Sequence, residues 1–243
     1  MRHPRLMPLP LQGRTVLVTG GARRIGATIV RQFAAAGANV MIHCNISTTE
    51  AEVLADEIDG IVVQGDLTEE SGRQKIVSAV ASNGKGLFCL IHSASVFIAS
   101  PSEEEAERQM LINCKAPQLL TRSLLSELRA VGGSIISITD ASTDRPWADY
   151  SDYSDSKDSL RDWTLAAALE LAPEVRANCI APGAILPAVE EGDLVDSIAA
   201  RIPLGRWGEP DDIAGAALFL SQASYITSEV LKVDGGWSAS HQP

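Results

Sequence analysis

Short apolar runs alternate along the chain with longer segments in which apolar residues recur every three or four positions. The short runs are rich in Val and Ile and are bounded by Gly, Asn, Asp or Ser, a pattern typical of β-strands. The longer period is that of amphipathic α-helices. We predict strands at residues 15–19, 39–43, 61–63, 87–91, 134–138, 175–180 and 230–233.

Helical patterns fill most of the segments between these strands. The first follows strand 15–19 and ends at Ala36, and the others cover residues 48–58, 70–82, 103–129, 152–171 and 210–220. The strands are apolar on both faces, as expected when helices cover both sides of a parallel sheet. The repeated strand–helix units predict an α/β fold with one doubly wound, seven-stranded parallel sheet and right-handed crossovers.

The least regular stretch of the chain lies between residues 181 and 202, directly after the sixth predicted strand. Sheets of this kind bind ligands beyond the carboxyl ends of their strands, and the loops there often carry function. We therefore expect residues 183–202 to form a substrate loop. Residues 1–12, which include Pro8 and Pro10, precede the first strand and are expected to form an N-terminal arm.

Composition and charge exclude several classes of protein. The net charge of −11 argues against nucleic acid or an anionic membrane as a general partner. No apolar run approaches the ~18 residues needed to cross a bilayer, and no signal-peptide core follows Met1. The four cysteines are scattered without paired spacing, so we expect reduced thiols and no metal site. A cytoplasmic enzyme is expected.

Three glycines, Gly20, Gly21 and Gly26, lie where the first strand turns into the first helix. Small residues at such a turn let backbone N–H groups approach a pyrophosphate, and the helix N-terminus favours negative charge. Glycine-rich turns also occur without a ligand, but the strand–turn–helix context is the one that a dinucleotide requires. We therefore predict that residues 1–243 form a single NAD(P)-binding Rossmann domain.

The end of the second predicted strand bears on which dinucleotide would bind. An acidic residue there usually contacts the free ribose 2′-hydroxyl of NADH. In this chain residues 43–47 are without an acid, and the next acid is Glu50. Arg23 and Arg24 place two cations at a helix start, where positive charge is unfavourable unless an anion binds. This combination favours NADPH over NADH.

Tyr153 and Lys157 stand four residues apart in a predicted helix, so their Cβ atoms should lie about 5–6 Å apart on one face. An ammonium beside a phenol stabilises the phenolate, so we expect the pKa of Tyr153 to lie below about 10. A tyrosine tuned in this way can donate a proton next to the atom that receives a hydride. Taken alone, the pair is more often a surface tyrosine and a solvated lysine. Its position just after the fifth strand indicates a reductase.

Several further motifs accompany these features. They are Thr19-Gly20 with Gly26, Gly65-Asp66-Leu67, Asn113 in the fourth helix, Tyr153-x-x-x-Lys157, Ala181-Pro182-Gly183 and Val233-Asp234-Gly235-Gly236. With them the whole chain resembles the short-chain dehydrogenase/reductases. The resemblance implies that Asp66 contacts adenine. It implies that Asn113 holds a water linking Lys157 to bulk solvent, and that Lys157 also binds the nicotinamide ribose. A homotetramer assembled through residues 231–237 is implied as well.

Three positions depart from the general pattern of that family. Arg24 stands at the middle glycine of the turn, and residues 92–95 read His-Ser-Ala-Ser where Asn-Asn-Ala-Gly is usual. Asp140 replaces the serine that usually precedes Tyr153 by thirteen residues. Together with Phe97, these departures resemble the pteridine reductase and dihydromonapterin reductase branch of the family.

In that branch the matching residues imply four roles. Arg24 contacts cofactor phosphate and substrate, and Ser95 also contacts both. Phe97 stacks a flat pterin against the nicotinamide. Asp140 works with Tyr153 in protonation, which suits a C=N bond because a ring nitrogen must receive a proton.

The resulting prediction is an NADPH-dependent reductase of a pterin-like small molecule, with Tyr153 as proton donor. The predicted catalytic residues are Tyr153, Lys157, Asp140 and Asn113. The predicted substrate-binding residues are Arg24, Ser95, Phe97, Asp140 and Tyr153. The predicted cofactor-binding residues are Gly20, Arg23, Arg24, Ile25, His43, Asn45, Ser47, Asp66, Leu67, Ser93, Ala94, Ser95, Tyr153, Lys157, Pro182 and Gly183.

Two other functions remain open. The first keeps the fold and cofactor but reduces a carbonyl, such as a 3-oxoacyl thioester or a small ketone. Asp140 and Phe97 favour the pteridine over it, because a serine hydroxyl is the usual donor to a ketone oxygen. The second is a non-catalytic nucleotide sensor, which the presence of Asn113, Tyr153 and Lys157 disfavours.

Overall fold

The computed structural model describes residues 9–141, 148–187 and 192–240. Residues 1–8 of the expected N-terminal arm and residues 188–191 of the expected substrate loop lie outside the described residues. The strands are β1 (Thr15–Thr19), β2 (Asn39–Cys44), β3 (Ile61–Gln64), β4 (Cys89–His92), β5 (Ser134–Ile138), β6 (Arg176–Pro182) and β7 (Val230–Val233). The helices are α1 (Arg24–Ala35), α2 (Thr48–Ile58), α3 (Glu70–Asn83), α4 (Glu103–Met110), α5 (Ala116–Ser123), α6 (Leu125–Arg129), α7 (Ser151–Leu171), α8 (Gly192–Ala199) and α9 (Pro210–Gln222).

All seven strands pair in parallel in one sheet, in the order β3-β2-β1-β4-β5-β6-β7. From β1 the chain winds outward through β2 to β3, and it then returns to place β4 on the other side of β1. This reversal is the topological switch point, where sheets of this kind form a crevice beyond the carboxyl ends of their strands. The predicted single-domain Rossmann fold with a doubly wound sheet is confirmed.

Strand β1 explains why the strands read as continuous apolar runs. Val16 and Val18 belong to the core beneath α1 and α9, whereas Leu17 belongs to the core beneath α3, α5 and α7. None of the three side chains is exposed. Burying each contributes about 1.5–3 kcal/mol, so both faces of the sheet require apolar residues.

The long helical region predicted over residues 103–129 is present, but it is not one continuous α-helix. The structure has α4, then a π-helical turn at Leu111–Lys115, and then α5 and α6. Pro117 lies in the first turn of α5 and has no backbone N–H. The hydrogen bond that an α-helix would make to the Asn113 carbonyl therefore cannot form. Such π-helical turns are frequent at functional sites.

The stretch expected to be irregular contains a helix, α8, within the residues that the structure describes. The Trp207 indole donates a hydrogen bond to the Val195 carbonyl at 2.9 Å, which ties α8 to the segment before α9. In the described parts of the chain no helix is both long and apolar enough to cross a membrane.

Candidate active site

Four strand ends meet at one edge of the sheet. Strands β1, β4, β5 and β6 are successive neighbours and run parallel, so their carboxyl ends lie side by side. Strand β1 leads into the glycine turn, β4 leads into residues 93–95, and β5 leads towards Asp140. Strand β6 ends at Pro182 and is followed by Gly183. Residues that are far apart in the sequence are therefore brought to one crevice.

The glycine turn has no room for side chains at two positions. Gly20 has a φ of 64°, and a Cβ there would lie 2.7 Å from the Cα of Ala94. A Cβ at Gly26 would collide with the carbonyl oxygen of Gly20. The backbone is thus bare at the N-terminus of α1, where N–H groups and the helix dipole favour a phosphate. These residues fit the pyrophosphate of a dinucleotide.

Thr19 ties this turn to the segment after β4. Its buried hydroxyl accepts hydrogen bonds from the N–H groups of Ser93 at 3.1 Å and Ala94 at 3.2 Å, and it donates to the Ile91 carbonyl at 3.3 Å. Ser93 and Ala94 are therefore fixed beside Gly20. Thr19 was not among the site residues predicted from the sequence, although its hydroxyl at the last position of β1 was an available signal.

Asp66 and Asn45 lie together beyond the ends of β3 and β2. The Asn45 amide donates to Asp66 Oδ2 at 3.1 Å, and the N–H and hydroxyl of Thr68 donate to Oδ1 at 2.8 and 2.7 Å. Burial raises the pKa of Asp66, but these hydrogen bonds outweigh it and leave the pKa below its usual value. The carboxylate is therefore ionised. The side chain of Leu67 is buried in the core, so this residue offers a ligand only its backbone.

His43 and Ser47, which the sequence predicts to bind the cofactor, are both largely buried. The His43 side chain is only 2% exposed and Ser47 only 8% exposed. The His43 imidazole is hydrogen-bonded to the backbone of Gly20 and Gly65 instead. A buried ring cannot offer a contact surface to a dinucleotide, so His43 supports the site rather than lining it.

Arg23 and Arg24 lie at the start of α1 and differ in backbone conformation. Arg23 is extended, with a φ of −143°, and its guanidinium lies 3.7 Å from the Glu50 carboxylate in an exposed pair. Arg24 has a φ of 53° and an exposed side chain. For a residue other than glycine this conformation costs roughly 1–2 kcal/mol, and such strain often accompanies function. Ile25 is half-buried against the core.

Tyr153 makes a direct hydrogen bond to Asp140: the phenol donates to Oδ2 at 3.0 Å. The tyrosine is only 9% exposed. Burial, and then the negative charge and hydrogen bond of Asp140, raise the pKa of Tyr153 well above its usual 10.0. The predicted lowering of this pKa by Lys157 is wrong, because desolvation and the nearby carboxylate both disfavour a phenolate. The phenol is protonated at neutral pH and can act as an acid.

Lys157 lies beside Tyr153 on α7, as the spacing predicts. Its Nζ is 5.7 Å from the centre of the Tyr153 ring and donates to the Ile138 carbonyl at 3.0 Å. The side chain is 3% exposed. Burial lowers the pKa of Lys157 to about 8, and the charge of Asp140 opposes this shift. Below pH 8 the site therefore holds a buried cation at the end of β5.

Asn113 is buried in the π-helical turn, and its side-chain amide is fully used. Oδ1 accepts from the Val96 N–H at 2.9 Å and the Ser95 hydroxyl at 3.1 Å. Nδ2 donates to the Val96 carbonyl at 2.9 Å and to Ser156 Oγ at 3.0 Å. The water-holding role that the family resemblance implies for Asn113 would fall to its carbonyl oxygen, which Pro117 leaves without an α-helical donor.

Gln109 lies one helical turn before Asn113 and also binds the backbone of the segment after β4. It is completely buried, and its Oε1 accepts from the Ile98 N–H at 3.0 Å. Asn113 and Gln109 thus bind the backbone of Val96 and Ile98, two positions apart in the segment after β4. The alternate residues, Ser95 and Phe97, are exposed. Gln109 was not among the residues predicted from the sequence, although an amide four residues before Asn113 was the available signal.

Phe97 lies between two tyrosines. Its ring is stacked on Tyr150 with centroids 4.3 Å apart and an interplanar angle of 7°. It meets Tyr153 edge-on at 4.6 Å and 87°. Phe97 is still 59% exposed. Tyr150 was also not predicted from the sequence. It stands three residues before Tyr153, which is about one helical turn.

Comparison with known proteins identifies the family to which this chain is related. A family model described as enoyl-(acyl carrier protein) reductase matches residues 20–238. The chain is 33% identical to 2,5-dichloro-2,5-cyclohexadiene-1,4-diol dehydrogenase LinX of Sphingobium indicum, over 94% of this chain and 97% of that one. It is 31% identical to human dehydrogenase/reductase SDR family member 4, over 93% of this chain and 88% of that one.

A solved structure, a blue fluorescent protein from a metagenomic library in complex with NADPH, superposes with a TM-score of 0.87. That match has 31% sequence identity and covers 94% of this chain and 99% of that one. The chain belongs to the short-chain dehydrogenase/reductase family. The resemblance predicted from the sequence is confirmed at this level, and the pteridine reductase branch stays a prediction, since none of these three relatives carries that name.

In this short-chain dehydrogenase/reductase the end of β6 is tied to the end of β7. The Gly183 N–H donates to the Val233 carbonyl at 3.0 Å, and a Cβ on Gly183 would lie 2.7 Å from the Cα of Asp234. Pro182 and Gly183 are thereby held against the end of β7, where the predicted substrate loop begins.

Proposed function

We propose that this short-chain dehydrogenase/reductase is an NADPH-dependent reductase of a pteridine of the dihydropterin type. The observation that carries the proposal is the 3.0 Å hydrogen bond between the Tyr153 phenol and Asp140. A carboxyl group beside the acid suits protonation of a ring nitrogen, whereas a serine hydroxyl suits a ketone oxygen.

Reduction of a C=N bond adds a hydride to carbon and a proton to nitrogen. NADPH, when bound, supplies the hydride. Tyr153 and Asp140 share one proton along their hydrogen bond, and this proton passes to the ring nitrogen before being replaced from solvent. Because burial and Asp140 keep the pKa of Tyr153 high, the phenol carries its proton at neutral pH. The phenol therefore holds the proton that the reduction requires.

The aromatic cluster supports a flat substrate. Phe97 presents an exposed ring beside Tyr153, and a planar, electron-poor ring would gain about 0.5–1.5 kcal/mol from stacking beyond the area buried. One face of Phe97 is covered by Tyr150. A pterin would therefore stack on the other face, or would take the place of Tyr150.

The cofactor would be held by residues that follow two strands, β1 and β3. The turn at Gly20 suits the pyrophosphate, and the ionised Asp66 suits the adenine amino group. Arg23 and Arg24 supply positive charge for a 2′-phosphate. Glu50 lies 3.7 Å from Arg23, but the pair is exposed and weak, so the guanidinium can turn to a stronger anion.

A second candidate function is oxidoreduction of an alcohol or carbonyl. Of the two relatives described above, one is named as a dehydrogenase of a cyclic diol and the other as a dehydrogenase/reductase. The same Tyr153 and Lys157 would serve that chemistry. It would require a base in the oxidative direction, however, and the raised pKa of Tyr153 opposes this.

We also propose a cytoplasmic homotetramer. The buried, free cysteines fit a reducing compartment, since none of Cys44, Cys89, Cys114 and Cys179 is in a disulfide. The tetramer rests on the family resemblance of residues 231–237.

The test is a substrate comparison that follows NADPH absorbance. Dihydrobiopterin and dihydromonapterin would be compared with 3-oxoacyl thioesters and diketones, and secondary alcohols would be tested with NADP⁺. We expect turnover of at least one pterin and little of the others. Turnover of ketones or alcohols together with none of either pterin would contradict the pteridine assignment and leave the oxidoreductase family intact.

Two variants of Asp140 sharpen the comparison. Asp140→Asn should lower pterin turnover while NADPH binding persists, because the carboxyl is removed but the volume kept. Asp140→Ser restores the hydroxyl usual in the family and should raise activity towards ketones relative to pterins. If single-turnover mixing shows no NADPH oxidation with any compound, a nucleotide sensor becomes the better reading.

A further inference from the structure

The imidazole of His43 lies between two backbone segments on either side of β2. The Gly20 N–H donates to His43 Nδ1 at 3.2 Å, and His43 Nε2 lies 2.9 Å from the Gly65 carbonyl oxygen. Gly20 belongs to the glycine turn after β1. Gly65 directly follows β3 and precedes Asp66, so one ring joins the segments proposed for pyrophosphate and adenine.

These two contacts fix the form of the ring. Nδ1 accepts from a backbone N–H and must therefore be unprotonated. Nε2 then carries the hydrogen and donates it to the Gly65 carbonyl. A neutral imidazole with its hydrogen on Nε2 satisfies both partners, and a protonated imidazole would direct an N–H at the N–H of Gly20.

The backbone around His43 makes the link continuous. The His43 carbonyl accepts from the Gly21 N–H at 3.0 Å, and the Cys44 carbonyl accepts from the Gly65 N–H at 3.0 Å. Main chain and side chain of β2 therefore bind both neighbouring segments. Since the ring is only 2% exposed, its effect on a ligand must pass through Gly20 and Gly65.

We propose that His43 is a positioning residue that sets cofactor affinity by joining the glycine turn to the Asp66 segment in its neutral form. This inference rests on the proposed function, because it takes the glycine turn as the pyrophosphate site. His43 is not a catalytic residue, and the hydride and proton transfers do not involve it.

Burial and nearby charges together determine whether the pKa of His43 is raised or lowered. Burial lowers the pKa of His43, and the Gly65 hydrogen bond and the charge of Asp66 oppose this shift without reversing it. On the turn side Arg23 pairs with Glu50, and the Arg24 side chain is exposed. The neutral ring is therefore the form present at pH 7, and protonation in more acidic solution removes the contact to Gly20.

Three substitutions separate the two contacts. In His43→Asn the amide oxygen can take the place of Nδ1 and accept from Gly20. In His43→Gln the longer amide can take the place of Nε2 and donate to Gly65. His43→Leu keeps the volume and loses both. The dissociation constants of NADPH and NADH would be measured by calorimetry at pH 7.5, and circular dichroism would show that each variant is folded.

We expect His43→Asn and His43→Gln each to bind about tenfold more weakly than wild type, as for the loss of one buried hydrogen bond, because either change breaks the link between the two segments. His43→Leu, which loses both bonds, should bind more weakly still. Equal affinities in all four proteins would overturn the role of His43. If the wild-type chain binds neither NADPH nor NADH, the proposed function itself fails, and the role of His43 fails with it.

A pH series on the wild-type protein keeps the proposal testable if His43→Leu does not fold. NADH is the probe, because the 2′-phosphate of NADPH titrates near pH ~6 and would obscure the result. NADH affinity should fall by about tenfold in total as the free imidazole takes up a proton and loses the Gly20 contact, and should stay flat in His43→Asn. The same decline in wild type and His43→Asn would overturn the proposal.

Discussion

At the scale of single residues, burial governs the chemistry of the site. Tyr153 and Lys157 are 9% and 3% exposed, so the charged form of each is disfavoured. The pKa of the phenol moves up and that of the ammonium moves down to about 8. The result is a protonated acid beside a cation that titrates near neutral pH.

Replacing Tyr153 by Phe tests the proton donor directly. The change removes the phenol oxygen and keeps the ring that packs against Phe97. Turnover of the preferred substrate should fall by about 10²-fold or more, the range for loss of general acid catalysis. NADPH affinity, measured by titration, should change little. Turnover within threefold of wild type would remove Tyr153 from the mechanism.

The charge of Lys157 should appear in the pH dependence of the reaction. Its pKa of about 8 means that the ammonium is present below pH 8 and is lost above it. We therefore expect kcat/KM for reduction to decline above about pH 8. Lys157→Arg should be less active, because a guanidinium differs in shape, but it should lack this decline since arginine keeps its charge. The same alkaline limb in both proteins would assign the titration to another group.

At the scale of elements, backbone segments present the functional side chains. The turn before α1 holds Arg24 in a left-handed conformation with a φ of 53°. The amides of Gln109 and Asn113 hold Val96 and Ile98, so that the residues alternating with them project outward. In both cases the element gives up some intrinsic stability, as backbone strain or as a buried polar group.

Arg24→Gly should separate stability from binding. Glycine relieves the strained φ, which is worth roughly 1–2 kcal/mol, but it adds about 0.4–1 kcal/mol of chain entropy to the unfolded state. A net gain of about 0.5–1 kcal/mol in unfolding free energy should appear in urea titrations. NADPH binding should weaken about tenfold with loss of the guanidinium.

Arg23→Gly is the matched control for this prediction. Arg23 is equally cationic but has an extended backbone with a φ of −143°, so glycine relieves nothing there. Its unfolding free energy should stay level or fall. A gain of the same size in both variants would mean that removal of surface charge, rather than strain, is responsible.

Gln109→Met tests the hold of α4 on the segment that carries Phe97. Gln109 Nε2 is buried without a hydrogen-bond partner among the residues that the structure describes. Methionine removes the free-energy cost of burying this unpaired amide, but it also removes the hydrogen bond from the Ile98 N–H. Unfolding free energy should change by less than about 1 kcal/mol. Hydrogen exchange at residues 96–98 should become faster, and KM for the substrate should rise while NADPH affinity is kept.

Gln118→Met provides the comparison for Gln109→Met. Gln118 donates to Cys114 Sγ at 3.0 Å within the helical region and does not contact residues 96–98. Gln118→Met should leave hydrogen exchange at residues 96–98 and KM for the substrate unchanged. Equal effects of the two substitutions would point to a general loosening of the helices.

At the scale of the whole molecule, the fold buries neutral histidines along with its apolar core. His92 ends β4, is 2% exposed, and bonds through Nε2 to Thr121 Oγ1 at 2.8 Å. Burial lowers the pKa of His92 to about 3. In the unfolded chain the same group titrates near 6.5, so acid favours the unfolded state.

This difference predicts a measurable loss of stability in mild acid. Above pH ~6.5 both states of His92 are neutral, and its contribution is fully present. As the pH falls towards 3 only the unfolded chain takes up the proton, at about 1.4 kcal/mol per pH unit, or roughly 2 kcal/mol between pH 6.5 and 5. Glutamine does not titrate in this range. Between pH 7 and 5 the unfolding free energy of His92→Gln, measured in urea, should therefore fall by roughly 2 kcal/mol less than that of wild type. His43 is present in both proteins, so it does not affect the difference.

Much of the fold follows from patterns that the sequence carries locally. Every predicted strand is present with ends shifted by at most two residues, because apolar runs and their bounding turns are read from neighbouring positions. The helical region predicted over 103–129 is present, but its divisions at the π-helical turn and after α5 were not predicted. The periodicity there remains helical, and it does not show where the hydrogen-bond pattern changes.

The sequence by itself determined the Rossmann fold, the glycine turn and the pairing of Tyr153 with Lys157, since each depends on spacing along a single element. Only the tertiary structure decided that Tyr153 meets Asp140, that Phe97 stacks on Tyr150, and that His43 joins two segments instead of lining the crevice. It also decided the direction of the Tyr153 pKa. The physical reason is that desolvation and contact depend on which distant segments close around a side chain, and spacing along the chain does not record that.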